Sequence, residues 1–375
     1  MRSLLIATAA LLMAGCGGGG NADLEDPARQ DGDLPVIGVR VVDSIGVEIG
    51  DSNYVMGAIE DLCYGPDGNI AVLDRARSCV RIYTPRGEFL RRIGCKGSGP
   101  GELQDIAFLA ISEDGHLYIS GEGSEILGIH QYDYFSGEWL GSLSTGSPPT
   151  CLEGVDGSDY VRKDLRVDPS SDELRVILTI ARYEPGADEP STVYFEDNFP
   201  FDPSNLARVV DLIWEGYDIA ADGGGGVYVA PRSTEEAVVT AYQKDGSVSF
   251  SITLDLESVP RTEREMEMER LILRSRAAVM DLDQTQLEPD PMKPLVRGLE
   301  IDGEGNIWVL RGGPATPTFD VFDGSGRPVC TAVVEGEPED GSTWRFHMDE
   351  HGMLAYAGDP ACGFQKVYIL ESDSF

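Results

Sequence analysis

Apolar residues along this chain come in short runs set between polar, turn-forming residues. Six places share one pattern, in which a turn rich in Asp and Gly leads into a run of β-branched and aromatic residues. They are PDGNIAVLD (66–74), EDGHLYISG (113–121), SSDELRVIL (170–178), GGGGVYVAP (223–231), GEGNIWVLR (303–311) and EHGMLAYAG (350–358). Asp-Gly and Asn-Gly pairs accept the positive φ of a tight turn, and the run after each has the composition of a strand. Taking Gly68, Gly115, Asp172, Gly225, Gly305 and Gly352 as anchors, the spacings are 47, 57, 53, 80 and 47 residues. That period is the length of a four-stranded propeller blade with insertions in the longer gaps.

Third and fourth strands follow the anchors, as in VRIYTP and EFLRRIG around Arg86-Gly87, or TFDVFD and RPVCTAVV around Gly324-Ser325-Gly326. The sixth unit offers only TWRFHMD, MLAYAG and KVYILES before the chain stops at Phe375, while an unmatched strand, PVIGVRVVD (35–43), sits near the start. The fold expected is therefore all-β: a six-bladed β-propeller in which the N-terminal strand completes the last blade and hides two sheet edges. One segment breaks the pattern. In PRTEREMEMERLILRSRAAVM (260–280), Thr262 and Glu265 have capping-box spacing, and Met268, Leu271, Ile272, Ser275, Ala278 and Val279 fall on one helical face. A helix is expected there, within an insertion over 260–294 between blades four and five. It packs across a blade face or the channel mouth, or serves as a lid over a central site.

The first sixteen residues, MRSLLIATAALLMAGC, carry Arg2, a brief apolar run and the small pair Ala14-Gly15 before Cys16. They resemble a bacterial lipoprotein signal ending at a lipidated cysteine; an ordinary secretory signal that contains a cysteine is the rival reading. Residues 17–34, opening with four glycines, read as a flexible tether, and 35–375 as the propeller. No later run is long enough to cross a bilayer. The expected place is the cell envelope, with the protein anchored by lipid to the inner or outer membrane and facing the periplasm or cell surface, as a monomer.

The first blade's LDRARSCVRIYTPRGEFLRRIGCKGSGPGEL (73–103) resembles an NHL-type repeat, and GLEIDGEGNIWVL (298–310) is similar to bacterial six-bladed propeller lipoproteins of the NHL-repeat and TolB-like class. The resemblance implies the fold and little about activity, because propellers host binding, scaffolding and several enzymes.

Formal charge is −36, and only five lysines occur. Such a surface repels phosphate backbones, so nucleic-acid binding is not expected. The six cysteines besides Cys16 permit disulfides in an oxidising compartment, and strand placement suggests a Cys79–Cys95 bridge across the end of one blade. No metal or cofactor is expected. The loop DLDQTQLEPD (281–290) fails as a calcium loop at Gln286 and Met292, and GSGPG (97–101) lacks the ending of a phosphate cradle. Of the histidines, His116 and His351 are turn residues, His130 a surface or satisfied one, and His347 alone could approach a channel. No catalytic set emerges. Asp61, Arg162, Tyr217, Arg297, Trp344 and Arg345 lie near the starts of innermost strands, where mixed charge and aromatics suit a polar small-molecule ligand or a peptide. The function expected is a binding or scaffold module; the alternative is a tunnel hydrolase or lyase of the lactonase-like propeller kind.

Overall fold

The middle strands of each unit are rich in apolar residues and mostly buried because each sheet is packed on both faces. A computed structural model describes residues 34–373 apart from 122–127, 146–148, 169–173, 203, 280–281, 285–286, 337–343 and 358–363. The leader with Cys16, nearly all of the tether, Cys362 and the Asp172 anchor lie outside the described residues.

The chain opens with β1 (Val36–Ile45). Blade one is β2 (Ile59–Tyr64), β3 (Ile70–Asp74), β4 (Cys79–Tyr83) and β5 (Phe89–Ile93), and blade two is β6 (Ile106–Ile111), β7 (His116–Gly121), β8 (Gly128–Asp133) and β9 (Trp139–Ser144). Blade three is β10 (Leu152–Gly154), β11 (Tyr160–Asp168), β12 (Arg175–Tyr183) and β13 (Thr192–Pro200). Helix α1 (Leu206–Glu215) leads into blade four, β14 (Tyr217–Ala221), β15 (Val227–Pro231), β16 (Ala237–Tyr242) and β17 (Val248–Leu254). Helix α2 (Glu263–Val279) precedes blade five, β18 (Val296–Ile301), β19 (Ile307–Arg311), β20 (Thr318–Phe322) and β21 (Pro328–Glu335); blade six holds β22 (Trp344–Asp349), β23 (Gly352–Ala357) and β24 (Val367–Ser372).

Within each blade the strands pair antiparallel in chain order. In β3, Ile70 and Val72 pack toward blade six while Ala71 and Leu73 pack toward blade two, the period-two alternation of a strand buried on both sides. Six apolar clusters result, one at each junction from blades one and two round to blades six and one. The innermost strands β2, β6, β10, β14, β18 and β22 neighbour one another in order, and β22 neighbours β2. The ring is closed: the protein is a six-bladed β-propeller.

Its closure is made by β1, which pairs antiparallel with β24 from Val39–Ser372 to Ile45–Val367 and completes blade six. The same strand also pairs parallel with β21 of blade five, from Val36–Thr331 to Arg40–Glu335. Blades five and six thereby share one eight-stranded sheet. The turn chemistry is local. At Gly305, φ is +80°, where a side chain would strain the backbone. Asp302 accepts the N–H groups of Glu304 and Asn306 and the indole N–H of Trp308.

Four sequence expectations change. The third blade's inner hairpin turns at Val155–Asp159, not at the Asp172 anchor, since β11 and β12, flanking 169–173, pair as second and third strands. The inner strand β10 is only three residues long and gave no apolar run to find. Helix α2 has the expected capping box, with the Thr262 N–H donating to Glu265 Oε2 at 2.7 Å, but buries Leu273 and Ala277 and leaves Leu271 exposed. Its partner is α1, which the sequence reading passed over, and their shared core with Val176 of the long blade three selects this narrower stripe. Cys79 and Cys95 are free thiols, one buried and one exposed. Because Val80 pairs with Ile93, Cys95 lies one residue past the position opposite Cys79, and a one-residue offset turns a side chain to the other face.

Candidate functional site

All six innermost strands run the same way around the axis, so their first residues define one mouth. Both helices join the ring at this end, α1 through Gly216 directly into β14 and α2 ahead of β18. They pack together over Leu165, Val176 and Phe199 of blade three. Lys163, 2% exposed, donates from Nζ to the Trp214 carbonyl at the end of α1, a favourable place for a cation.

Glu215, the last residue of α1, is the hub of this mouth. Its carboxylate meets Arg232 at the end of blade four's second strand, Arg276 of α2, and Arg345 of β22 at 3.6 Å. Burial works against its charge, but Arg276, Arg232 and Arg345 outweigh it and hold the group well below the usual carboxylate range. Arg232 also straddles both oxygens of Asp218 at 3.0 and 3.1 Å, and its Nη2 donates to the Arg297 carbonyl at 3.1 Å. Arg297 has no hydrogen-bond partner at Nε. Burial, then the charges of Arg232 and Arg345, lower it to about 10.

Deeper along the inner strands stand Asp61 of β2, Glu153 of β10, Glu300 of β18 and His347 of β22. Two of the carboxylates also fasten neighbouring blades. Asp61 accepts the Leu109 N–H of blade two at 2.9 Å, and Glu300 accepts the Met348 N–H of blade six at 3.0 Å. Burial inside the ring raises Asp61 to about 6, Glu153 to about 7 and Glu300 to about 8. His347 is lowered by burial but raised more by Asp349, Glu300 and Glu153, to about 9. Its Nε2 stands 3.8 Å from Asp349 Oδ2, beyond hydrogen-bond reach, and is without a partner. Among the described residues no group of three or more His, Cys, Asp or Glu is placed to hold a metal ion. The same end of the ring carries an open cleft of about 550 Å³, lined by residues of blades one and two that include Arg75, Lys96 and Asp105.

Of the residues singled out from the sequence, Arg297 and Arg345 border the axis at this end, and Asp61 lies deeper on its inner strand. Tyr217 begins β14 but turns outward, donating to Asp197 and packing on Phe195. Trp344 is buried at the junction of blades five and six, against Phe346 and Tyr368. Arg162 lies on the second strand of blade three, bonded to Asp164 at 2.7 Å with its guanidinium 3.7 Å from the Tyr183 ring centre; the misplaced third hairpin explains its selection. His130 is buried and 3.0 Å from Ser142 Oγ. Glu153, Glu300, Glu215, Asp218, Arg232 and Arg276 were not singled out. Glu300 sits in GLEIDGEGNIWVL, where inner-strand charge beside apolar residues was the available signal.

A ring of six blades with a helix-capped, charged mouth is the class that fold and site define. Residues 45–151, which include all of blades one and two, match a family described as a 6-bladed beta-propeller. No curated protein matches the sequence. Among solved structures, the chain is similar to a Bacteroides vulgatus member of the duf4221 family, at 9% identity over 90% of this chain and 99% of that one, TM-score 0.49. It is also similar to a Bacteroides fragilis protein assigned as exported, at 9% identity over 90% and 100%, TM-score 0.48. No helix among the described residues is long and apolar enough to cross a membrane.

Proposed function

We propose that this chain is an exported, lipid-anchored binding module of the NHL-repeat-like kind, which takes a polar ligand at the strand-start mouth of its ring. The observation that carries this reading is the hydrogen-bonding capacity left open there. Arg297 Nε, Arg276 Nη1, Trp214 Nε1 and His347 Nε2 are all buried atoms without a partner. Buried polar atoms are nearly always satisfied, and these four, of thirteen such atoms among the described residues, lie on elements that meet at or just below one mouth, where water or a ligand would complete them. The groups come from α1, α2 and blades five and six, so a bound molecule would be read by several elements at once. The module acts as a monomer, with the membrane reached through Cys16.

Melting of the full chain in detergent tests the reading, against neutral sugars, amino acids, carboxylates and phosphate compounds. At a hundredfold excess over Kd a ligand stabilises by about 2.7 kcal/mol. At least one class should raise the midpoint by several degrees in the wild type and not in an Arg345→Ala, His347→Gln double variant. If every compound acts alike on both proteins, the mouth is not the site.

A second reading has one observation in its favour: Glu153, Glu300 and His347, on the inner strands of blades three, five and six, hold protons near neutrality, as acid–base groups of a hydrolase or lyase would. Its mark would be turnover that falls at least tenfold in Glu300→Gln with ligand affinity unchanged.

A further inference from the structure

We propose that Arg297 and Arg345 form an anion subsite, taking the carboxylate or phosphate group of a ligand seated in the mouth. This deepens the binding reading above and rests on it.

The two arginines occupy the same place in adjacent blades, each the second residue of its innermost strand. In blade five that place is a bulge, since the register of β18 on β19 passes from Val296–Arg311 to Gly298–Leu310 and leaves Arg297 unpaired. Blades one and two carry the same irregularity at Glu60 and Ala107. A bulge frees one residue from the ladder and re-aims its side chain, and bulges gather beside binding sites for that reason.

Ion pairs at this mouth are unevenly shared. Among the described residues only Asp218 and Glu215 stand within ion-pair distance of the four guanidinium groups Arg232, Arg276, Arg297 and Arg345, while Asp211, Glu269 and Glu60 act on three of them from farther off. Asp218 and one oxygen of Glu215 are taken by Arg232, and the other Glu215 oxygen by Arg276. Arg345 has only a 3.6 Å approach to that last oxygen and is half exposed. Arg297 has no carboxylate partner among the described residues, and the two charges that act on it most strongly, Arg232 and Arg345, are of its own sign. An inward charge left uncompensated in this way is costly. The carboxylates that oppose it, Asp218 and Glu215, are already held by Arg232 and Arg276, and deeper along the strands burial raises Asp61, Glu153 and Glu300 so that they carry less negative charge. In a chain of formal charge −36, a guanidinium group without a carboxylate partner, beside a second held only at 3.6 Å, selects an oxyanion. Their planar forks match carboxylate and phosphate oxygens alike.

The test is calorimetric titration of the full chain in non-ionic detergent at fixed ionic strength, with inorganic phosphate in one series and succinate in the other. Saturable binding of at least one probe is expected, and the stronger series tells which oxyanion the subsite prefers. Arg297→Gln should weaken it at least tenfold, and Arg345→Gln several-fold. Arg40→Gln, which removes a surface ion pair to Asp373, should change nothing. Without any anion, Arg297→Gln should melt no lower than the wild type, because it removes a charge that the protein does not satisfy. The assignment falls if neither probe saturates the wild type, if Arg297→Gln binds equally well, or if that variant melts clearly lower without anion. Should phosphate and succinate fail while a neutral compound still protects the wild type and not the double variant, the subsite is overturned and the binding reading stands.

Discussion

At the scale of single residues, the inner strands concentrate groups whose protonation is coupled to folding. Asp61, Glu153 and Glu300 are all raised, so the folded chain keeps protons that the unfolded chain releases. Their contribution is whole below the ordinary carboxylate range and is lost as pH climbs through about 6, 7 and 8 in turn. His347, raised from 6.5 to about 9, adds stability of the same sense, complete below 6.5 and lost as pH passes 9. Glu215 acts oppositely, since its lowered pKa gives stability above 4.5 that disappears in acid. The melting midpoint should therefore be highest near about pH 5 and fall steadily toward pH 9. Glu300→Gln imitates the protonated carboxyl and should flatten that decline; an unchanged slope would show that Glu300 does not hold its proton.

At the scale of elements, β1 decides whether the ring exists. It buries Ile37, Val39 and Ile45 and covers the edges of β21 and β24. Three such side chains are worth about 5 to 9 kcal/mol together, comparable with the whole stability of many domains. Removing residues 35–43 should abolish sharp thermal unfolding and promote association through the bared edges; a deletion protein that melts at the parent temperature would refute this closure. The strand was legible in the sequence because the sixth unit was one strand short and PVIGVRVVD had no local partner. Its second pairing, parallel to β21, was not, since no local pattern encodes which distant edge a strand will lie against. Helix α1 was legible and missed: Leu206, Val209, Val210, Ile213 and Trp214 have helical spacing between Asn205 and Gly216. Asp61, Arg297 and Arg345 were singled out because the turn anchors locate the starts of innermost strands, where all three lie. Glu215 and Arg276 could not be joined by sequence, because their meeting depends on two helices from different insertions.

At the scale of the whole molecule, the ring puts its capped mouth and its closing strand in separate places. The mouth is built from blades three to six and both helices, whereas β1 lies at the outer edge of blades five and six. On the proposed function, ligand capture and attachment can then vary independently. Cys16→Ser should move the protein from the membrane to the soluble fraction and end incorporation of labelled palmitate, while leaving the melting midpoint as it was. Continued membrane retention of that variant would count against lipid attachment.

The double pairing of β1 has a mechanical consequence. Whatever holds the chain by its N-terminus pulls on Val36 along the axis of a strand gripped from both sides. Load applied that way is spread over two rows of hydrogen bonds that must slide together, rather than peeling one bond at a time. The strand that finishes the circle is thus also a firm handle, since a pull along its length is resisted by two neighbouring strands at once.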